Sequence, residues 1–191
     1  SIRTINKESI QGAPVRLLTV SRLVERKGHD RVLEALATLS ESFNLEYHIV
    51  GKGPVHKQLL DQVELLKLNN VVFHGFVPDT RLHELSAQSD VFVMPIKEDP
   101  FDKEGFGMVF LEAALHGVPS ITSKISGVDE AVLHEQTGLL IETDFELIGA
   151  LKRLLGDSDY RQSLGRAAQD RANNEFARDV QLSKLKSILY E

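Results

Sequence analysis

Six short stretches of apolar residues recur along the chain, separated by longer segments with helical periodicity. The stretches are Val15 to Val20, Glu46 to Val50, Val71 to His74, Val91 to Pro95, Ser120 to Thr122 and Gly138 to Ile141. Most are nearly continuous apolar runs rather than apolar/polar alternations. Strands covered by helices on both faces of a parallel sheet have that pattern. Between them, Val32, Leu33, Leu36, Ala37 and Leu39 repeat at helical spacing, with Asp30 as the expected N-cap. Val55 to Leu68, Thr80 to Ala87, Met108 to His116 and Asp129 to His134 read as helices by the same logic. Strand and helix alternate about six times, which predicts an α/β fold built on a doubly wound parallel six-stranded sheet.

After Ile141 the strand pattern stops. Phe145 to Leu155, Asp159 to Asn173 and Asp179 to Tyr190 read as three helices, with Gly156 expected to end the first and Asp157 or Ser158 to cap the second. Residues 1–14 read as a lead-in or linker, 15–175 as one domain, and 176–191 as a closing helix. The chain contains no internal repeat and no low-complexity tract.

Composition narrows the function. The 191 residues, 42% of them hydrophobic and 26% charged, are ordinary globular usage. No run of 18 apolar residues is present, and the start, Ser1 to Lys7, is too polar for a secretory signal. The chain reads as one cut from something longer. Cysteine is absent, which removes disulfides, thiolate metal sites and cysteine nucleophiles together and fits a reducing compartment. The net charge of −6 argues against a nucleic-acid partner but permits a small anionic ligand held by local cations.

In an open parallel sheet, ligands bind beyond the carboxyl ends of the strands. After the first strand come Arg22 and Lys27, five residues apart on a loop that enters a helix. A guanidinium fork, an ammonium and a helix N-terminus together suit a diphosphate, although an exposed cationic loop gives the same pattern. After the second strand, Gly51-Lys52-Gly53-Pro54 would let backbone approach a ligand or simply form a tight turn. It is neither a Walker loop nor a dinucleotide fingerprint. After the third strand, His74 to Asp79 could wall a flat ring or serve as a plain connection set by Pro78.

The fourth strand leads to Glu104-Gly105-Phe106-Gly107 and an apolar stretch, Met108 to Leu115, interrupted by Glu112 alone. A helix this apolar is expected to be buried, so Glu112 should need hydrogen-bond donors such as a ribose diol. Glu104 lies before a helix start whose bare amides favour anionic groups. Pairing of Glu112 with a nearby cation and solvation of Glu104 is the alternative.

Seven histidines show no one-face metal-pair spacing, so no metal is expected. Asp157-Ser158-Asp159 reads as a helix cap rather than an acidic metal triplet.

The two glutamates, seven residues apart, with Gly-Phe-Gly after the first, resemble retaining glycosyltransferases of family 4, the "group 1" family. In order with them stand Ser21-Arg22-Leu23 and Lys27-Gly28, Gly51 to Pro54, His74 to Val77, Ser89 to Pro95, Gly127 to Glu130, and Thr137-Gly138. Each motif is modest; the ordered set is specific. The resemblance implies one Rossmann-like half of a GT-B fold, the C-terminal donor-binding domain. It implies an enzyme that transfers a hexose from a UDP- or GDP-sugar to a glycan, lipid or other acceptor with retained configuration. Arg22 and Lys27 would bind the diphosphate and stabilise its departure, Glu104 would contact the donor sugar, and Glu112 the ribose. Amides of Phe106, Gly107, Met108 and Val109 would hold sugar and phosphate, Gly53 would line the site, and Val77 and Leu82 would flank the base.

The same resemblance implies no cofactor and no metal, a nucleotide-sugar donor as partner, and an N-terminal acceptor-binding domain that has no counterpart here. The isolated fragment would be inactive without it. The full enzyme would work in polysaccharide biosynthesis in the cytoplasm, with peripheral association at the inner membrane face left open. A related GT-B enzyme, such as a sugar-nucleotide epimerase, and a stand-alone nucleotide-sugar binding module are the competing readings.

Overall fold

The computed structural model describes residues 12–98 and 107–176. Six strands alternate with helices: β1 (Val15–Val20), α1 (His29–Leu39), β2 (Leu45–Val50), α2 (His56–Leu65), β3 (Val71–Gly75), α3 (Asp79–Gln88), β4 (Val91–Met94), α4 (Met108–Leu115), β5 (Ser120–Ser123) and β6 (Gly138–Ile141). Two more helices follow, α5 (Asp144–Gly156) and α6 (Ser158–Arg171), the second running into a π-helical turn at Ala172–Phe176. All strand pairs are parallel, in the order β3-β2-β1-β4-β5-β6.

The continuous apolar runs arise because both faces of the central strands are buried. Leu17, Val91 and Val93 point into a core shared with Val32, Leu33 and Leu36 of α1 and Leu147, Leu151 and Leu154 of α5. Their neighbours Leu18, Phe92 and Met94 point the other way, against Leu85 of α3 and Phe110 and Leu111 of α4. A helical layer thus covers each face, and α6 packs against α4 and α5. None of the described helices is long and apolar enough to cross a membrane. At the β6 edge, the Leu140 amide donates to His134 Nδ1 at 3.0 Å.

Two sequence expectations of the fold need correction. Asp30 is not the N-cap of α1; Gly28 holds that position, and the Asp30 carboxylate lies 2.5 Å from Lys97 Nζ. The segment Asp129 to His134 forms turns rather than a helix. It is too short to propagate a helix, and side-chain oxygens intercept its ends: Asp129 Oδ1 accepts from the Gly127 amide and Thr137 Oγ1 from the Leu133 amide. As expected, Gly156 ends α5, and the chain leaves the helix at Asp157, whose φ is −122°. Asp157 then caps α6, accepting from the Tyr160 amide at 2.8 Å. The expected helix over 179–190, most of the lead-in 1–14 and nearly all of the 176–191 segment lie outside the described residues.

Candidate active-site crevice

β1 and β4 are neighbours in the sheet, yet the chain leaves them in opposite directions, α1 leading to β2 and α4 to β5. A crevice opens outside their carboxyl ends at such a switch point. Ser21–Gly28 lies on one side of it, and the described ends of the β4–α4 connection, Pro95–Glu98 and Gly107, on the other; residues 99–106 lie outside the described residues.

The first loop is held by its backbone and by one anchor. Leu23 is fully buried, and its amide donates to Lys52 at 3.0 Å, while the Ser21 amide donates to Val50 at 3.0 Å. A 3₁₀ turn over Glu25–Lys27 follows, and Gly28 then takes a left-handed φ of 72° to enter α1. A β-carbon on Gly28 would stand 2.0 Å from the Pro95 carbonyl oxygen, so the loop lies directly on the end of β4. The Lys97 amide completes the join by donating to Arg26 at 2.7 Å. Arg22 is exposed at one end of this loop; Lys27, at the other, is only 8% exposed.

The Gly51-x-Gly53 turn packs beneath the first loop. A β-carbon on Gly53 would meet the Leu23 carbonyl oxygen at 2.1 Å, and one on Gly51 the Ser21 carbonyl oxygen at 1.8 Å. These glycines therefore have a steric reason of their own, close approach to the cationic loop. Val77 and Leu82 are half-buried against the α3–α4 core, and the Phe76 ring beside them is 77% exposed.

Across the crevice, Gly107 caps α4 in the left-handed region, and Met108 and Val109 form the first turn. Their amides have no acceptor within the helix and carry its positive dipole end. Glu112 departs from expectation. The helix buries Phe110, Leu111, Ala113 and Ala114, and leaves Glu112 exposed on its outer side. Its carboxylate is available to hydroxyl donors without the forced desolvation anticipated from the apolar run. Glu104 and Phe106 lie outside the described residues.

Two features escape sequence reasoning. Arg31 on α1 donates to the Pro95 carbonyl at 3.1 Å and to Ser123 Oγ at 3.5 Å, and its Nε pairs with Asp144, tying α1 to the ends of β4 and β5 and to α5. Second, His29, Tyr47 and Thr19 form a buried polar chain beneath the cationic loop, 2%, 0% and 1% exposed. Burial drives His29 down to about 4, more strongly than the Arg22 backbone and the Asp30 carboxylate oppose it, so the ring is neutral at pH 7. Burial likewise pushes the Tyr47 phenol up. Their signal was faint: polar residues inside runs otherwise read as core.

Two open grooves adjoin these elements. One of about 790 Å³ follows the carboxyl ends of β4–β6, lined in part by Asp30, Arg31, Lys97, Ser123 and Glu142. The other, about 580 Å³, lies along β6 and α5, away from the glycine loops. Its charged groups serve one another or the fold: Lys124 pairs with Glu142, Arg153 with Glu135, and Glu146 with the capping box of α5.

Fold and crevice together define a Rossmann-like α/β domain with its anion-directed groups gathered at the switch point. The family profile "Glycosyl transferases group 1" matches residues 2–171, and the chain belongs to that family. It is 32% identical over 179 residues to a GDP-mannose-dependent α-(1-6)-phosphatidylinositol monomannoside mannosyltransferase of Mycobacterium tuberculosis, covering 91% of this chain and 46% of that protein. The crystal structure of Anabaena Alr3699/HepE in complex with UDP superposes with a TM-score of 0.81 at 26% identity, over 92% of this chain and 48% of that one. The C-terminal domain of a glycosyl transferase group 1 protein (LpcC) from Francisella tularensis shares the fold, with a TM-score of 0.75 at 21% identity, over 88% of this chain and 90% of that one. The six-stranded sheet with its flanking helices matches part of these GT-B glycosyltransferase neighbours. The chain spans about half the length of the curated relatives it matches.

Proposed function

We propose that this chain is the C-terminal, donor-binding half of a retaining glycosyltransferase of family 4, transferring a hexose from a UDP- or GDP-sugar. The observation that carries the reading is the pairing, across the β1/β4 switch point, of the Arg22–Lys27 loop with the capped start of α4. Coverage supports the donor-half assignment, because an isolated C-terminal domain matches nearly end to end while longer enzymes match over about half. Relatives named for GDP-mannose and for UDP supply the two candidate donor bases.

On this reading Arg22, Lys27 and the amides of Gly107, Met108 and Val109 grip the diphosphate, and Glu112 accepts from the ribose hydroxyls. Val77 and Leu82 flank the base, and Glu104 and Phe106 belong to the sugar side. In the reaction, the bond between the anomeric carbon and the diphosphate oxygen breaks as the acceptor oxygen bonds to that carbon on the same face. The acceptor proton passes to the departing phosphate. Arg22 and Lys27 stabilise the charge that develops there. The acceptor and the residues that position it belong to the other half of the protein, and no metal step is required.

Calorimetry of this chain with UDP, GDP and ADP tests the reading. Binding of UDP or GDP in preference to ADP is expected. A folded domain that binds none of them refutes it.

A further inference from the structure

The turn after β2 is clamped from two sides. The Leu23 amide of the cationic loop donates to the Lys52 carbonyl at 3.0 Å, and the Gly51 amide donates to the Gly75 carbonyl, at the end of β3, at 2.8 Å. The backbone of Lys52 is therefore fixed between the cationic loop and the segment that leads to Val77. Its side chain is exposed and follows the second of these. A β-carbon on Gly75 would stand 3.8 Å from Lys52 Cε, at ordinary contact distance. Gly75, at a left-handed φ of 64°, thus leaves its side of the turn bare, and the lysine stem runs along it. The ammonium at the end of that stem has no carboxylate partner among the described residues. Lys57, Lys97 and Lys124, by contrast, pair with Asp61, Asp30 and Glu142.

We propose that Lys52 reads the nucleotide base of the donor: its ammonium donates to the ring carbonyl of uracil or guanine and discriminates against bases that carry an amino group there. The proposal rests on the donor-binding reading above, in which Val77 and Leu82 flank the base. Val77 lies two residues beyond Gly75, so a stem that crosses Gly75 leads to the base end of the donor. Uracil O4 and guanine O6 are acceptors, where cytosine and adenine present the amino donors N4 and N6. An ammonium is a donor only, so it bonds with the first two bases and meets N–H groups on the others. One side chain then accepts uracil and guanine alike and rejects adenine.

Calorimetry of this chain with UDP against CDP, and with GDP against ADP, tests the assignment. Both members of a pair carry the same diphosphate, so the ratio within a pair reports the base alone. In at least one pair the carbonyl base should bind about tenfold more tightly, the scale of one charge-assisted hydrogen bond. Lys52→Met keeps an unbranched stem and removes the charge. It should bring that ratio within about threefold by weakening the carbonyl base and leaving the amino base nearly unchanged. Lys52→Glu should reverse the preference, because a carboxylate accepts from an amino group. The side chain is exposed, so both variants should fold, which a thermal melt checks. An unchanged ratio in folded Lys52→Met overturns the proposal, as does equal wild-type affinity within both pairs. An equal loss for both members also overturns it, since that result places the ammonium on the diphosphate. Wild-type protein that binds no nucleoside diphosphate overturns the donor reading instead, so the two failures are distinguishable.

Discussion

Gly28→Ala and Gly149→Ala are the same chemical change with opposite expected signs. At Gly28 the φ of 72° places alanine in the left-handed region, at a cost of about 1–2 kcal/mol. The new β-carbon would also stand 2.0 Å from the Pro95 carbonyl oxygen. The loop and the end of β4 must part by at least about 1 Å to reach ordinary contact. Such overpacking adds about 1–3 kcal/mol and pulls the Lys97 amide away from Arg26. The total of about 2–5 kcal/mol corresponds to a melting point lower by roughly 4–20 °C in a chain this long. Gly149 sits inside α5, exposed, with nothing within 4 Å of an added β-carbon. There alanine stabilises by about 0.5–1 kcal/mol, a rise of roughly 1–4 °C. Differential scanning calorimetry of both variants beside wild type measures the pair. A Gly28→Ala melting point at or above that of Gly149→Ala would refute the claim that the cationic loop rests on the end of β4.

Three further outcomes are expected. Lys27→Ala should weaken UDP or GDP binding by about 10–100-fold, the worth of a lost charge-assisted hydrogen bond, and Glu112→Ala should weaken it less; unchanged affinity in either folded variant removes that residue from the site. His29, lowered from 6.5 to about 4 by burial, binds its proton more readily when unfolded. Its contribution is therefore complete above about pH 6.5 and is lost as pH falls toward 4, by up to about 3 kcal/mol; urea midpoints from pH 7.5 to 4.5 should fall more steeply in wild type than in His29→Gln, and parallel profiles would contradict this. Asp157→Ala removes the cap of α6 and should cost about 1 kcal/mol, roughly 2–4 °C, by thermal melt; an unchanged melt would show that cap to be idle.

Most of the architecture was legible because the strands of a doubly covered sheet have a distinctive composition. Val15–Val20 and Gly138–Ile141 end where their apolar runs end. Errors came where local side chains overrule periodicity. Between Gly127 and Thr137, hydroxyl and carboxylate oxygens compete for backbone amides, and no apolar count detects that. The burial of Glu112 was misjudged because composition does not say which side of a helix meets the core; α4 is apolar nearly all round yet buries only part of its surface. The cationic loop and the glycine turns were visible as motifs. Their mutual contact was not, because it joins residues brought together only by parallel pairing of β1 with β2. The Thr19–Tyr47–His29 chain is a stronger case, since three separate elements contribute to it.

The strand order also bears on how the molecule is made. Strands β1 to β3 form one half of the sheet and the later strands β4 to β6 the other, and the halves join along a single seam, β1 against β4. Thr19 and Val93, which meet across it, are 74 positions apart. Closing so long a loop is entropically costly and makes the seam a late event in acquiring the native state. The crevice straddles that seam. A chain still emerging from the ribosome, or one whose halves have not docked, lacks an assembled crevice. On the proposed reading, capture of the donor therefore doubles as a proof of completed folding.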